Sequence, residues 1–243
     1  MSELLGEARR TLRPPPGDRD GPLLPAMLAL TLVTGVVDAA SYLKLGHVFV
    51  ANMTGNVVFL GFAIAGAREV SAASSLVAIA AFLAGAFAGG RLAASSPAHR
   101  GVMLRAAGRI QVALVVVALL LALVLATPLS SGARYALVVP LALAMGVQNA
   151  VAQRLSIPEL TTTVLTRTLT GMASEARLIG GPGAKLGRRL LAVAAMLAGA
   201  VAGGLLALEV SIAAAIGLAA ALAAAVTIAI TIASRRAGEW AQP

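Results

Sequence analysis

Eight apolar segments, 23–43, 48–66, 73–93, 110–127, 134–153, 160–175, 190–208 and 211–233, leave this chain little choice of surroundings. A helix needs about 20 residues to cross about 30 Å of hydrocarbon, and most of the segments meet that length. Segment 160–175 is too short, and 48–66 is interrupted by Asn52, Thr54, Gly55 and Asn56. The chain is 59% hydrophobic and 12% charged, against roughly 45–50% apolar and 25% charged residues in soluble domains. It is therefore expected to be an all-α polytopic membrane protein: six spanning helices plus two short or re-entrant helical segments.

Residues 1–22 carry Arg9, Arg10, Arg13, three successive prolines, Asp18, Arg19 and Asp20 with little apolar periodicity, so they read as a disordered cytoplasmic tail. A signal peptide fits less well, because the basic region is long and the following apolar run exceeds the 7–15 residues of a signal core. Residues 23–128 and 134–233 are expected to form two membrane repeats, with 234–243 as a second cytoplasmic tail.

The repeat emerges from three matches that recur in the same order. Gly35-Val-Val-Asp38-Ala39 corresponds to Gly146-Val-Gln148-Asn149-Ala150, and Met53-Thr54-Gly55-Asn56 to Leu165-Thr166-Arg167-Thr168. Leu83-Ala-Gly85-Ala-Phe-Ala-Gly89-Gly90 corresponds to Leu197-Ala-Gly199-Ala-Val-Ala-Gly203-Gly204. Loop charges then bear on topology, because Lys and Arg near helix ends collect on the cytoplasmic side. If all eight segments cross, Lys44, Arg91, Arg100, Arg105, Arg109 and Arg154 fall outside. If 48–66 and 160–175 dip in and return, only Lys44, Arg68 and Arg134 do, and both termini are cytoplasmic. The second arrangement puts three crossings in each repeat, so the halves insert in opposite orientations. Inverted repeats with broken helices characterise secondary transporters, whose sites lie near the midplane between the repeats.

Polar groups within such segments are costly and usually face a bundle interior or a water-filled cavity. Asp38 is the candidate proton-accepting or cation-coordinating carboxylate; alternatively it bonds Ser41 or pairs with Lys44 near the interface. Its repeat counterpart is Asn149, beside Gln148. Asn52, Thr54, Gly55 and Asn56 could line a solute site with side-chain oxygens, amides and accessible backbone, or act as interhelical glue. In the second copy, Thr161, Thr162, Thr163, Thr166, Thr168 and Thr170 form a hydroxyl-rich strip, with Thr166 and Thr170 one turn apart. Arg167 could pair with Asp38, hold an anion, or snorkel to the surface. The candidate solute-binding set is thus Asp38, Ser41, Asn52, Thr54, Gly55, Asn56, Gln148, Asn149, Thr163, Thr166 and Arg167. The paired glycines read as small-xxx-small helix packing, Tyr42 and Trp240 as interfacial residues, and His47 as a solvated loop residue.

Other chemistries find little support. The chain has no Cys and two His, which excludes disulfides and thiolate metal sites and is too few for a histidine cage. The formal charge of +9 lies in short loops, where it sets topology rather than marking a nucleic-acid face. No nucleotide-binding loop, His-Glu-x-x-His or Gly-x-Ser-x-Gly sequence is present, so neither an enzyme nor a cofactor is expected. The expected partners are the lipid bilayer and a small polar or ionic solute, with further copies of the same chain left open.

The runs Gly35-Val-Val-Asp38-Ala-Ala-Ser41-Tyr42-Leu, Phe49-Val-Ala-Asn52-Met-Thr54-Gly55-Asn56, Gly146-Val-Gln148-Asn149-Ala150 and Leu160-Thr-Thr-Thr-Val-Leu-Thr166 resemble the YoaK-like (DUF1275) bacterial membrane proteins of unknown function. Thr166-Arg167-Thr168 departs from the Thr-Gly-Thr usual in that family. The resemblance implies a multi-span inner-membrane protein and supplies no substrate. The reading from the residues is a secondary transporter or permease, proton-coupled through Asp38. Its rival is a non-transporting assembly partner or sensor whose Asn and Thr motifs pack helices.

Overall fold

The computed structural model describes residues 2–15, 17, 18, 20–95, 99–125, 128–157, 165–174 and 185–235, of which 2–4, 165–167 and 174 by backbone only. The elements are α1 (Ser2–Leu12), α2 (Leu23–Lys44), α3 (Met53–Ile64), α4 (Ala72–Ser95), α5 (Arg100–Val124), α6 (Ser131–Leu155), α7 (Leu165–Ser174), α8 (Leu186–Leu205) and α9 (Ile212–Ser234). A π-helical turn, Leu206–Val210, extends α8. Six of these helices, α2, α4, α5, α6, α8 with its extension, and α9, are long and apolar enough to cross a membrane. α3 has 12 residues, about 18 Å of helix, and cannot span.

Capping side chains set several helix starts. Ser130 Oγ accepts the Ala133 N–H at 3.2 Å and Ser211 Oγ accepts that of Ala214 at 3.1 Å, each satisfying a donor that the first helical turn leaves open. His99 Nδ1 does the same for Val102 at 3.2 Å, so α5 begins at Arg100 rather than at residue 110. Hydropathy places that boundary too late, because the first turns of α5 are helical while carrying Arg100, Arg105 and Arg109.

The segment before α2 also differs from the expected disordered tail. Ser2–Leu12 is a helix that packs on α8, where Glu7 Oε2 accepts the Gly187 N–H at 2.9 Å. A carboxylate at a helix N-terminus meets both unpaired donors and the positive end of the dipole. Asp20 is in turn paired with Arg100 at 3.1 Å, and Arg100 also donates to Leu155 O at 3.3 Å. Of residues 234–243, only Ser234 and Arg235 lie within the described chain.

α2 and α6 are the inner helices, and α5, α8 and α9 turn Leu, Val and Ile side chains outward. α2 packs on α8 and α4 on α6; α5 lies against both α6 and α9, and α9 also against α2. The two tightest crossings are built alike. A Cβ on Gly35 would collide with Met196 O and Ala200 N, and one on Gly146 with Phe82 O and Ala86 N. Facing them, Gly199 lies on the Leu32 carbonyl and Gly85 on the Leu143 carbonyl. Small residues let the backbones touch, which is how membrane helices gain packing when lipid supplies no hydrophobic drive.

Candidate functional site

Four polar residues on α2, Thr31, Thr34, Asp38 and Ser41, are spaced by three, four and three, so they share one face. All four are buried. Thr31, Thr34 and Ser41 give their hydroxyl protons to α2 carbonyls: Met27 O at 2.9 Å, Leu30 O at 3.0 Å and Asp38 O at 3.1 Å. Asp38 instead faces a second segment of chain.

That segment is brought back by a tight reversal after α2. Leu45 donates to Ser41 O at 2.8 Å and His47 to Tyr42 O at 3.2 Å, while Gly46 (φ 95) and His47 (φ 55) take left-handed backbone conformations of the kind that commonly ends helices. Residues 48–52 then run back along α2. Asp38 Oδ1 accepts the N–H of Val50 at 2.9 Å and of Ala51 at 2.8 Å. Asp38 lies six residues before the end of α2, so the loop re-enters by about 9 Å at 1.5 Å per residue. Asp38 is 3% exposed, and Oδ2 has no hydrogen-bond partner among the described residues.

The loop is held from its other side by Asn56. Its Oδ1 accepts the Phe49 N–H at 2.9 Å and its Nδ2 donates to Phe49 O at 2.7 Å, closing both backbone groups of one residue with a single amide. The Phe49 ring covers Gly55, where a Cβ would approach it to 2.6 Å. Tyr42, Phe49 and Phe59 stack around the turn at centroid distances of 5.2, 5.6 and 5.8 Å. A comparable cover occurs in the second half, where the Arg189 guanidinium lies over Gly171 of α7.

A second polar centre sits one helical turn from Asp38. Gln111 Nε2 on α5 donates to Gln148 Oε1 on α6 at 2.6 Å, and Gln148 Nε2 donates to Thr34 Oγ1 at 3.0 Å. Gln111, Gln148 and Thr34 are at most 3% exposed. The chain of amides thus joins three spanning helices through their interior and ends on the same face of α2 as Asp38.

The sequence-derived candidates divide accordingly. Asp38, Ser41 and Asn56 gather around the re-entrant loop, and Gly55 supports it. Asn52 and Thr54 are exposed. Gln148 belongs to the amide chain, whereas Asn149 donates to Met145 O of its own helix at 2.9 Å. Lys44 is exposed and forms no ion pair with Asp38, whose partners are loop amides instead. Thr163 and the side chains of Thr166 and Arg167 lie outside the described residues. Sequence reasoning missed Thr31, Thr34 and Gln111. The first two were legible from their spacing to Asp38, and Gln111 as a lone amide within an apolar segment.

A model of the family described as "Protein of unknown function (DUF1275)" matches residues 26–229. The chain is also similar to the UPF0700 transmembrane protein YoaK of Bacillus subtilis (strain 168), with 33% identity over 148 residues, or 60% of this chain and 64% of that protein. The match therefore spans less than two thirds of that relative's length. No solved structure matches the chain. With its six apolar spans and a match running from the start of α2 into α9, this multi-pass membrane protein belongs to the DUF1275 family.

Proposed function

We propose that this protein is a secondary transporter of a small polar solute in the bacterial inner membrane, with Asp38 as its coupling group. The observation that carries the reading is the Asp38 carboxylate: buried on a spanning helix, bonded through one oxygen to a re-entrant loop and unpaired at the other. Intramembrane acids of this kind commonly mark ion or proton pathways. Hydrogen bonds to an ionised group are roughly twice as strong as neutral ones. A proton arriving at Oδ2 would therefore weaken the hold of Asp38 on Val50 and Ala51. Releasing residues 45–52 would open a path along Ser41, Asp38 and Thr34 toward the centre of the bundle. The chain acts as a carrier in this reading and not as an enzyme.

The matched glycine crossings support an inverted repeat, because α2 on α8 and α4 on α6 exchange the same motif positions. Three spans in each half would orient α2 and α6 oppositely. The positive-inside rule then puts both termini in the cytoplasm, with Lys44, Arg68 and Arg134 outside. Gly46 lying near Arg134 and Ser74 agrees, since it puts the end of α2 beside the starts of α4 and α6.

Proton movement in proteoliposomes tests the reading. With a trapped pH dye and a panel of methylammonium, glycerol, urea and acetate, wild type is expected to couple entry of at least one solute to a pH change, and Asp38→Asn to lose that coupling. Identical coupling in the variant, or no solute movement at all, would reject it. One observation favours a non-transporting assembly partner or sensor: Asn56 and Asn149 each bond a backbone carbonyl, as packing residues do. Under that reading, polar substitutions reduce stability alone.

A further inference from the structure

The amide chain at the centre of the bundle has a fixed polarity. Thr34 gives its hydroxyl proton to Leu30 O at 3.0 Å, so toward Gln148 its oxygen acts as an acceptor. Gln148 must then present its NH2 group to Thr34, at 3.0 Å, and its carbonyl to Gln111 Nε2, at 2.6 Å. This order leaves Gln111 Oε1 as the terminal acceptor. It receives no hydrogen bond among the described residues although Gln111 is 2% exposed.

On the neighbouring helix, Thr227 gives its hydroxyl proton to Ala223 O at 2.8 Å, leaving a lone pair on Oγ1. Gln111, Gln148 and Thr227 line one cavity together with Leu30, Gly108 and Val151. The centre of a water molecule has about 10 Å³ available there, close to the least that holds one water. No charged residue among those described lines it. Gly108 is required, since a Cβ at that position would collide with the Thr227 hydroxyl.

We infer that the cavity between α2, α5, α6 and α9 is the solute subsite, and that it takes a small hydrogen-bond donor, neutral or cationic, while rejecting anions. This rests on the transporter reading above and supplies its solute class. Gln111 Oε1 calls for a donor, because buried polar groups are costly unless paired, and the part-buried Thr227 Oγ1, already donating to Ala223 O, can accept a second bond. An anion could take the second N–H of each amide, but no charged residue among those described lines the cavity to offset its desolvation, and the two oxygens face it as acceptors. Anything larger than water requires α5 and α9 to part at Gly108 and Thr227, so binding and opening of the bundle are coupled at this place.

Thermal unfolding of the purified full chain at constant ionic strength tests the inference with methylammonium chloride, glycerol and sodium acetate, against sodium chloride. Methylammonium or glycerol is expected to raise the unfolding temperature of wild type, and acetate not to. Gln111→Leu should abolish the shift. Thr227→Val, which keeps the volume, should weaken the apparent affinity about tenfold, the equivalent of one hydrogen bond. Equal stabilisation by acetate, an undiminished shift in both variants, or a site that takes an internal water only and responds to no solute would overturn it. A shift lost in the variants, with no solute crossing proteoliposomes, would retain the site and reject transport. Transport insensitive to Gln111→Leu would do the reverse.

Discussion

Asp38 Oδ1 accepts the backbone N–H of Ala51 at 2.8 Å, bridging thirteen residues of sequence from within a spanning helix to a loop that has turned back beside it. The bond ties the ionisable group to the backbone that moves in the proposed transport cycle. Polar side chains and topology thereby become one question.

Removing the carboxylate should loosen the loop. Asp38→Ala leaves the Val50 and Ala51 donors buried and unpaired, at about 1–3 kcal/mol each, whereas Asp38→Asn retains an acceptor oxygen. Hydrogen exchange of peptides covering 45–52 is expected to accelerate strongly in the alanine variant and moderately in the asparagine one. Unchanged protection in Asp38→Ala would show that these bonds do not hold the loop.

Asn56 and Thr54 should separate cleanly. Asn56 pairs with both backbone groups of Phe49, and Asn56→Ala should cost about 2 kcal/mol or more, while exposed Thr54→Ala stays within about 0.5 kcal/mol. Unfolding midpoints in detergent distinguish them. Equal effects would contradict the buried role assigned to Asn56.

The interior amides predict non-additivity. Gln111→Leu alone strands Gln148 Oε1, so it should destabilise by about 1–3 kcal/mol. In Gln111→Leu/Gln148→Leu no acceptor is stranded between them, and the double variant should lose less than the sum of its parts. A double-mutant cycle giving a coupling energy near zero would mean that the 2.6 Å bond contributes nothing.

Glycines at the two crossings should be far less tolerant of a side chain than a glycine facing open space. Gly35→Ala and Gly146→Ala drive a methyl into the opposing backbone, whereas Gly90 has open space at the same point. Loss of folded protein is expected for the first two, with Gly90→Ala within about 0.5 kcal/mol of wild type. Comparable unfolding temperatures for all three would contradict the close helix contacts.

Much of the architecture was legible because lipid leaves few options. Segment length and hydropathy located the six spans, and the polar interruption from Asn52 to Asn56 marked the place where α3 is short. Asp38 drew notice as an acid in an apolar helix. Its partners could not be read, since the Val50 and Ala51 groups that meet it are backbone N–H donors, which every residue but proline carries. α1 was hidden for another reason: its helix is held by Glu7 reaching Gly187, a pairing across the whole chain that no local pattern encodes. Gln111 needed its neighbours too, because one amide in an apolar run gains meaning only when Gln148 and Thr34 are seen beside it.

The central claim is that the buried polar face of α2 opens to water during a functional cycle. The chain contains no cysteine, so Thr34→Cys and Ser41→Cys place single thiols at sites that are 0% exposed. Membrane-impermeant thiol reagents applied separately to right-side-out and inside-out vesicles are predicted to label Thr34→Cys slowly from both sides, with Asp38→Asn altering the balance. Absence of labelling from either side, in vesicles where an exposed loop control such as Glu69→Cys reacts, would contradict the account.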